Sequence, residues 1–495
     1  MQGAAVRAAL GGADPQLIAV QLVEIASGAE PADRVRATLY DYRTERTLLV
    51  EAPLAEDAAP VVRSSSRQPL PSPEEREAAL AVLREDPVLG PELAAERLVP
   101  YRAMPPLVGT ERDDGTVERV ITVGLRPEDG VANHEIVGVH LGRREVVRFE
   151  GGAPPRALAA AHSCGAPNAD QATTMNRAGS ARVTVKRDGQ TLWRFIVNRP
   201  AASSGEMGSG VELRMVSYRG KRVLRRANVP ILNVRYDGDA CGPYRDWQNE
   251  ESRFQAHGAA VAPGFRLCPQ PATTVLETGS DVGNFAGVAI YVDGDEVVLV
   301  SELEAGWYRY ISRWHLHADG TIRPRFGFGA VDNPCVCNQH HHHVYWRFDF
   351  DIAGEADDVV TEFNDPPLPD HDGNWHRLRH EIRRSKSPVR KRRWRVHNQG
   401  TDVGYQIIPG TGDGRSDSFG VGDFWALRYR STQLDDSAVA TGERAQLNSF
   451  LNGESIFGTN VVVWYAAHFT HDPDHEDDHP GGSHIVGPTL KPERW

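Results

Sequence analysis

The chain holds 495 residues, 40% hydrophobic and 25% charged, with 55 basic against 67 acidic side chains for a net charge of −12. At ~150 residues per domain this suits about three units, and the composition excludes a disordered chain. The acidic excess argues against a general nucleic-acid or anionic-membrane binder, and no apolar run nears the ~18 residues of a membrane-spanning helix. Taken from its start, Met1 to Glu24 lacks the apolar core of a secretory signal, which favours a cytoplasmic location. Residues 16–24 and 36–52 alternate apolar and polar positions at strand period. Ser72-Pro73-Glu74-Glu75 reads as a capping box with proline at the first helical position, so a helix is expected over 73–85. Strands are expected near 118–125 and 135–149. These elements make two small α/β units, 1–70 and 71–155, in which no convergent cluster of His, Cys or carboxylates is expected.

Residues 151–175 are rich in Ala, Gly and Pro and read as a linker. Beyond residue 180 the texture changes to short alternating runs split by Asp-Gly, Arg-Gly and other turn steps, such as 181–197, 210–226, 285–301 and 307–330. Strands over ~300 residues with little helical periodicity predict one large antiparallel β-sandwich over 175–495. The fold class is therefore mainly β with α+β character. The basic run 377–395 reads as a loop and strand with a solvated face rather than a nucleic-acid patch.

The chain carries 19 histidines against five methionines. Asn338-Gln339-His340-His341-His342-His343-Val344-Tyr345-Trp346 is the strongest local signal, and its internal position argues against an expression tag. Strand alternation points His340 and His342 one way and His341 and His343 the other. Either pair can place two imidazoles on one metal ion, and a third ligand must come from elsewhere. The stretch 461–480 supplies His468, His471, His475 and His479. Three neutral imidazoles with open positions suit copper or zinc. Cys335 and Cys337 sit just ahead of the run; they suit a soft metal, a disulfide to Cys241 or Cys268, or buried free thiols.

In order along the chain, these segments resemble the copper amine oxidase family, whose members carry a topaquinone made from one of their own tyrosines. Residues 210–226 resemble its entry strand pair, 340–354 its copper-binding strand, 392–410 its Arg-x-Trp…Gly-Tyr segment, and 461–477 its third-ligand strand. Register from Arg347-Phe348-Asp349 implies His340 and His342 as copper ligands, with His341 and His343 as the one-residue slip. Gapless matching from Trp464 implies His471 as the third ligand, with Glu476-Asp477 on the family's acidic pair. Counting back from Asp319-Gly320-Thr321-Ile322 puts Tyr308 at the quinone-precursor position and Tyr310 at the second tyrosine. Trp307 replaces the family's Asn, and Arg309 replaces its Asp or Glu, a fixed cation that either restrains the ring or accommodates an acidic substrate. Val282-Gly283-Asn284-Phe285 only mimics the motif, since it lacks a hydroxyl. Tyr244-Arg245-Asp246 resembles the family's base motif, implying Asp246 as the proton acceptor beside Tyr244, with Glu250 as a substitute. Asp349 and Asp351 match a peripheral cation site of some members.

The resemblance implies a homodimeric copper enzyme that oxidises a primary amine with O2 to aldehyde, ammonia and hydrogen peroxide. Two rivals stay open on the same scaffold. One is a copper oxidase or oxygenase with unmodified Tyr308; the other is a metal-binding pseudoenzyme.

Overall fold

The computed structural model describes residues 15–23, 34–53, 60–65, 68–103, 106–111, 117–128, 135–148, 164–169, 177–205, 207–237, 243–354, 357–436, 445–472 and 484–495. The chain divides into two contact units, one of residues 1–160 with 238–246 and 438–443, the other of 161–237, 247–437 and 444–495. No helix among the described residues is long and apolar enough to cross a membrane.

In the first unit the strands Gln16–Val23, Arg34–Asp41, Arg46–Pro53 and Val61–Ser65 form an antiparallel four-stranded sheet. The run read as one strand over 36–52 is thus a hairpin. The helix spans Pro73–Glu85, and both halves of its Ser72–Glu75 capping box form. Its apolar face (Ala79, Leu80, Leu83) packs on Ile121, Val123 and Val137 of a five-stranded sheet. Glu75 also receives a bidentate pair from buried Arg119 at 2.9 and 2.8 Å, so one carboxylate caps the helix and neutralises an interior guanidinium.

The second unit is built on two large sheets. The nine-stranded sheet runs Ser180–Arg187, Gln190–Asn198, Glu212–Tyr218, Lys221–Tyr236, His340–Phe350, Val461–His471, Phe424–Arg428 and Ile382–Arg384 along its main path. The twelve-stranded sheet includes Glu296–Ala305, Tyr308–His317, Ile322–Ala330 and Thr489–Glu493. Pairing is antiparallel apart from Phe265–Leu267 with Val288–Asp293, which is parallel. Buried rings from both sheets fill the space between them: Trp394 stacks on Phe424 at 3.9 Å, and Tyr308 packs edge-on against His342 at 4.9 Å. This is the sandwich expected from the alternating runs, with polar and apolar positions sorted by face.

Candidate metal and tyrosine centre

The 340–350 strand lies centrally, between 221–236 on one side and 461–471 on the other. Its register places His340 opposite both Tyr236 and His471, and His342 opposite Val234 and Phe469. Alternation therefore delivers His340, His342, His471 and Tyr236 to one face, which looks toward Tyr308, Tyr310 and Phe328 of the other sheet. The ring centroids of His340 and His342 are 4.9 Å apart, and those of His340 and His471 are 4.6 Å apart.

These spacings suit a shared ion. A metal–nitrogen bond of ~2.0 Å puts each ring centroid roughly 3.2 Å from the metal, so ligands at 90–110° stand roughly 4.5–5.3 Å apart. His340 Nδ1 lies 2.7 Å from the Asn338 carbonyl, which only accepts, so Nδ1 carries the proton and Nε2 keeps its lone pair. His342 is buried, and neither of its ring nitrogens has a hydrogen-bond partner. Orphaned interior nitrogens cost about 1–3 kcal/mol each, a penalty that a metal ion removes. Burial, reinforced by His471, lowers the proton affinity of His340 to a pKa of about 3; burial and then His340 lower that of His342 well below the ordinary imidazole value. Both rings are thus held in the neutral form that metals bind.

Tyr308 is 1% exposed. Its hydroxyl meets that of Tyr236, and the indole N–H of Trp307 donates to the Tyr236 oxygen at 3.0 Å. Its ring stacks on Tyr310 at 5.1 Å and lies 5.8 Å from His340. Trp307 therefore does more than fill space: it ties the two hydroxyls into one chain. Arg309 points to the other side of its strand, where Asp281 receives it bidentately at 2.7 and 2.9 Å, both side chains being buried. That pairing corrects the expectation of a cation available to an acidic substrate. A cavity of about 390 Å³ opens beside Tyr308, His340, His342 and His471, with Phe328 and Leu276 in its apolar wall.

Tyr244 and Asp246 belong to the first contact unit and are both buried; burial and the neighbouring Asp246 carboxylate push the Tyr244 phenol upward. Glu250 is fully buried and accepts from the Trp247 indole at 3.2 Å. Asp349 faces Arg347 at 3.6 Å, while buried Asp358, whose oxygens have no hydrogen-bond partner, is pushed up to about 9 by desolvation and by Asp351, Asp349 and Asp357. Cys337 forms a disulfide with Cys164, and Cys335 is also disulfide-bonded, so the soft-metal reading of this pair is overturned. Cys268 is free and buried. Cys241, His475, Glu476, Asp477 and His479 lie outside the described residues.

The opposite face of the same strands carries a second histidine pair. His341 contacts Thr470 Oγ1 and Asp237 Oδ1, each at 3.0 Å. His468 Nε2–H is shared between the Gly422 carbonyl at 3.0 Å and Asp423 Oδ1 at 3.1 Å, both acceptors. Its Nδ1 is therefore free to accept the Nδ1–H of His343 at 2.9 Å. Gly420 makes room for this ring, since a Cβ there would stand 2.0 Å from His343 Nδ1. In the first unit, Glu45, Glu118 and His140 converge, against the expectation of no such cluster. There His140 Nδ1 accepts the Arg143 amide at 3.0 Å, so a neutral ring carries its proton on Nε2 facing Glu118 and Glu45, at 3.3 and 3.5 Å.

Two participants were passed over in the sequence, Tyr236 and His484. Tyr236 closes a long alternating strand two residues before Gly238, a signal that alternation alone could have raised. His484 follows the acidic run and carries no local pattern.

Residues 286–494 match the family described as copper amine oxidase, enzyme domain. The fold is shared with a copper-containing benzylamine oxidase from Hansenula polymorpha, at 13% identity and a TM-score of 0.56, over 93% of this chain and 88% of that one. Pichia pastoris lysyl oxidase is similar at 11% identity and a TM-score of 0.55, over 93% and 81% of the two chains. An Aspergillus nidulans amine oxidase is similar at 13% identity and 0.55, over 93% and 80%. At these identities the likeness to the three structures is one of fold.

Proposed function

We propose that this chain, which belongs to the copper amine oxidase family, is a copper-dependent oxidase of primary amines that uses a quinone made from Tyr308. The observation that carries this reading is the convergence of three buried imidazoles on Tyr308, with His342 left without hydrogen bonds. His340, His342 and His471 would hold copper, whose chemistry when bound is the activation of O2. Tyr236 and Trp307 hold the Tyr308 hydroxyl and fix the ring's direction. Phe328 and Leu276 give the cavity an apolar wall on one side. Asp281 takes up the Arg309 cation, which supports a substrate without a carboxylate. A homodimer is proposed as the family's usual assembly. The Cys164–Cys337 bridge supports an oxidising compartment over the cytoplasmic one expected from the N-terminal segment.

The test is the mass of the Tyr308 peptide from protein loaded with Cu(II) in air, against a metal-free anaerobic control. Oxygen gained on Tyr308 only with both copper and O2 is the expected result. Unmodified Tyr308 with copper bound would sink the quinone. One observation favours that rival, a copper oxidase working with intact Tyr308: the ring is stacked on Tyr310 and tied to Tyr236, which restrains the turning that quinone formation needs.

A further inference from the structure

We propose that His484 is a fourth imidazole of this centre, so that Cu(II) is held by four ring nitrogens from His340, His342, His471 and His484. The inference rests on the copper reading above and extends it. The His484 ring centroid is 5.4 Å from that of His471, close to the 4.6 and 4.9 Å that separate the other ligand pairs and near the roughly 4.5–5.3 Å of rings sharing one ion. The ring lines the same cavity as the other three histidines and Tyr308.

Its delivery is independent of the other three. His340 and His342 come from one strand and His471 from its neighbour, all in the nine-stranded sheet. His484 sits where the chain meets the twelve-stranded sheet. Its carbonyl accepts the Phe328 amide at 2.8 Å, and the next residues, Ile485 and Val486, pair with Gly327 and Phe326. The backbone on both sides of the cavity is thereby fixed before any ion binds. Phe469 packs against the ring at 5.3 Å and limits its rotation. Four imidazole nitrogens suit the tetragonal preference of Cu(II) better than the open three-ligand arrangement that Zn(II) accepts equally well. The consequence is selectivity for copper, with one of the positions open to solvent ligands occupied by protein.

The experiment is pulsed EPR of the full chain loaded anaerobically with one equivalent of Cu(II), counting coupled imidazoles from their remote-nitrogen combination bands. Titrations with Cu(II) alone are run on wild type, His484→Ala, His484→Gln and His342→Ala. Four imidazoles in the wild type, three in the His484 variants, and a loss of copper affinity of at least the roughly 10–100-fold that an outer partner's removal costs are the expected results. Three imidazoles in the wild type overturn the inference without any variant being needed. Unchanged spectra and affinity in His484→Ala also overturn it, and leave the copper reading standing. If His342→Ala binds Cu(II) as tightly as wild type, the copper reading fails and takes this inference with it. Thermal melts of the metal-free variants separate lost ligation from lost folding, and His484→Gln preserves the packing on Phe469.

Discussion

The two faces of the 340–350 and 461–471 strand pair hold the same side chain in opposite states. On the back face five of the six ring nitrogens of His341, His343 and His468 have hydrogen-bond partners: Thr470, Asp237, Asp423 and the Gly422 carbonyl take part, two of the rings bond each other, and the sixth, His343 Nε2, stands 3.5 Å from Asp417. On the front face His342 is as deeply buried as His343, yet both of its nitrogens lack hydrogen-bond partners. Desolvating a polar group without compensation is unfavourable, so a fold that pairs nearly every ring nitrogen on one face and leaves the whole His342 ring unpaired on the other has left room for a ligand on the second. Burial alone does not distinguish a structural histidine from a metal-binding one. The partner inventory does.

That contrast can be broken most sharply by swapping the two faces' losses. His342→Ala is expected to weaken Cu(II) binding by roughly 100-fold or more, beyond the range for an outer partner, with titration calorimetry as the measurement. His343→Ala is expected to leave copper affinity within about threefold, and an equal loss in both variants would erase the distinction between faces. Next in size is the Cys164–Cys337 bridge, which joins positions 173 apart and anchors the segment Gly165–Pro167 that lines the front cavity. Replacing Cys164 and Cys337 by serine should cost about 2–5 kcal/mol, read as a drop in denaturation midpoint against the wild-type chain under non-reducing conditions. His343→Ala itself should cost about 1–3 kcal/mol of stability, because His468 Nδ1 is left buried without its donor. A chemical-denaturation series on His343→Ala and on the His343→Ala/His468→Ala double variant checks this, with less than the sum expected for the pair.

The smallest effect is a pH control on a side chain that belongs to neither face. Glu302 is buried and its carboxyl is pushed up to about 7, chiefly by desolvation, while the Val275 amide donates to it at 2.8 Å. Its folded-state pKa lies above the unfolded value, so the unfolded chain releases the proton first. Stability is therefore greatest below about 4.5 and falls as pH rises toward about 7. Glu302→Gln should remove a slope on the order of 1 kcal/mol per pH unit within that window, seen in melts at fixed ionic strength. If the variant keeps the wild-type slope, Glu302 is not its source.

Local patterns in the chain were enough for several parts of this architecture. The Ser72–Glu75 capping box marked the Pro73–Glu85 helix because caps are short-range chemistry, complete within four residues. Alternating runs marked the sandwich strands, and the same period-two geometry separated His340 and His342 from His341 and His343 before any fold was known. Where the chain matched a recurring pattern, as at Tyr308 and His471, the position could be counted from an anchor. Period two is symmetric, however, and says only that the faces differ. The face turned toward Tyr308 was decided by the register of 340–350 against 221–236 and 461–471, which depends on cores formed far away in sequence.

The remaining decisions were all of that long-range kind. Arg309 reads as an exposed charge in isolation, and becomes an internal neutral pair only because Asp281 arrives from 28 positions away. Cys337 reads as half of a metal motif until Cys164 comes within bonding distance. His484 carries no local signature and reaches the centre through pairing with the far sheet. The chain alone determined which residue types could do chemistry and which side of each strand they occupied, because those properties follow from spacing over a few residues. Tertiary structure decided which of them meet and which find partners, because hydrogen bonding, neutralisation and burial depend on what the rest of the chain brings alongside.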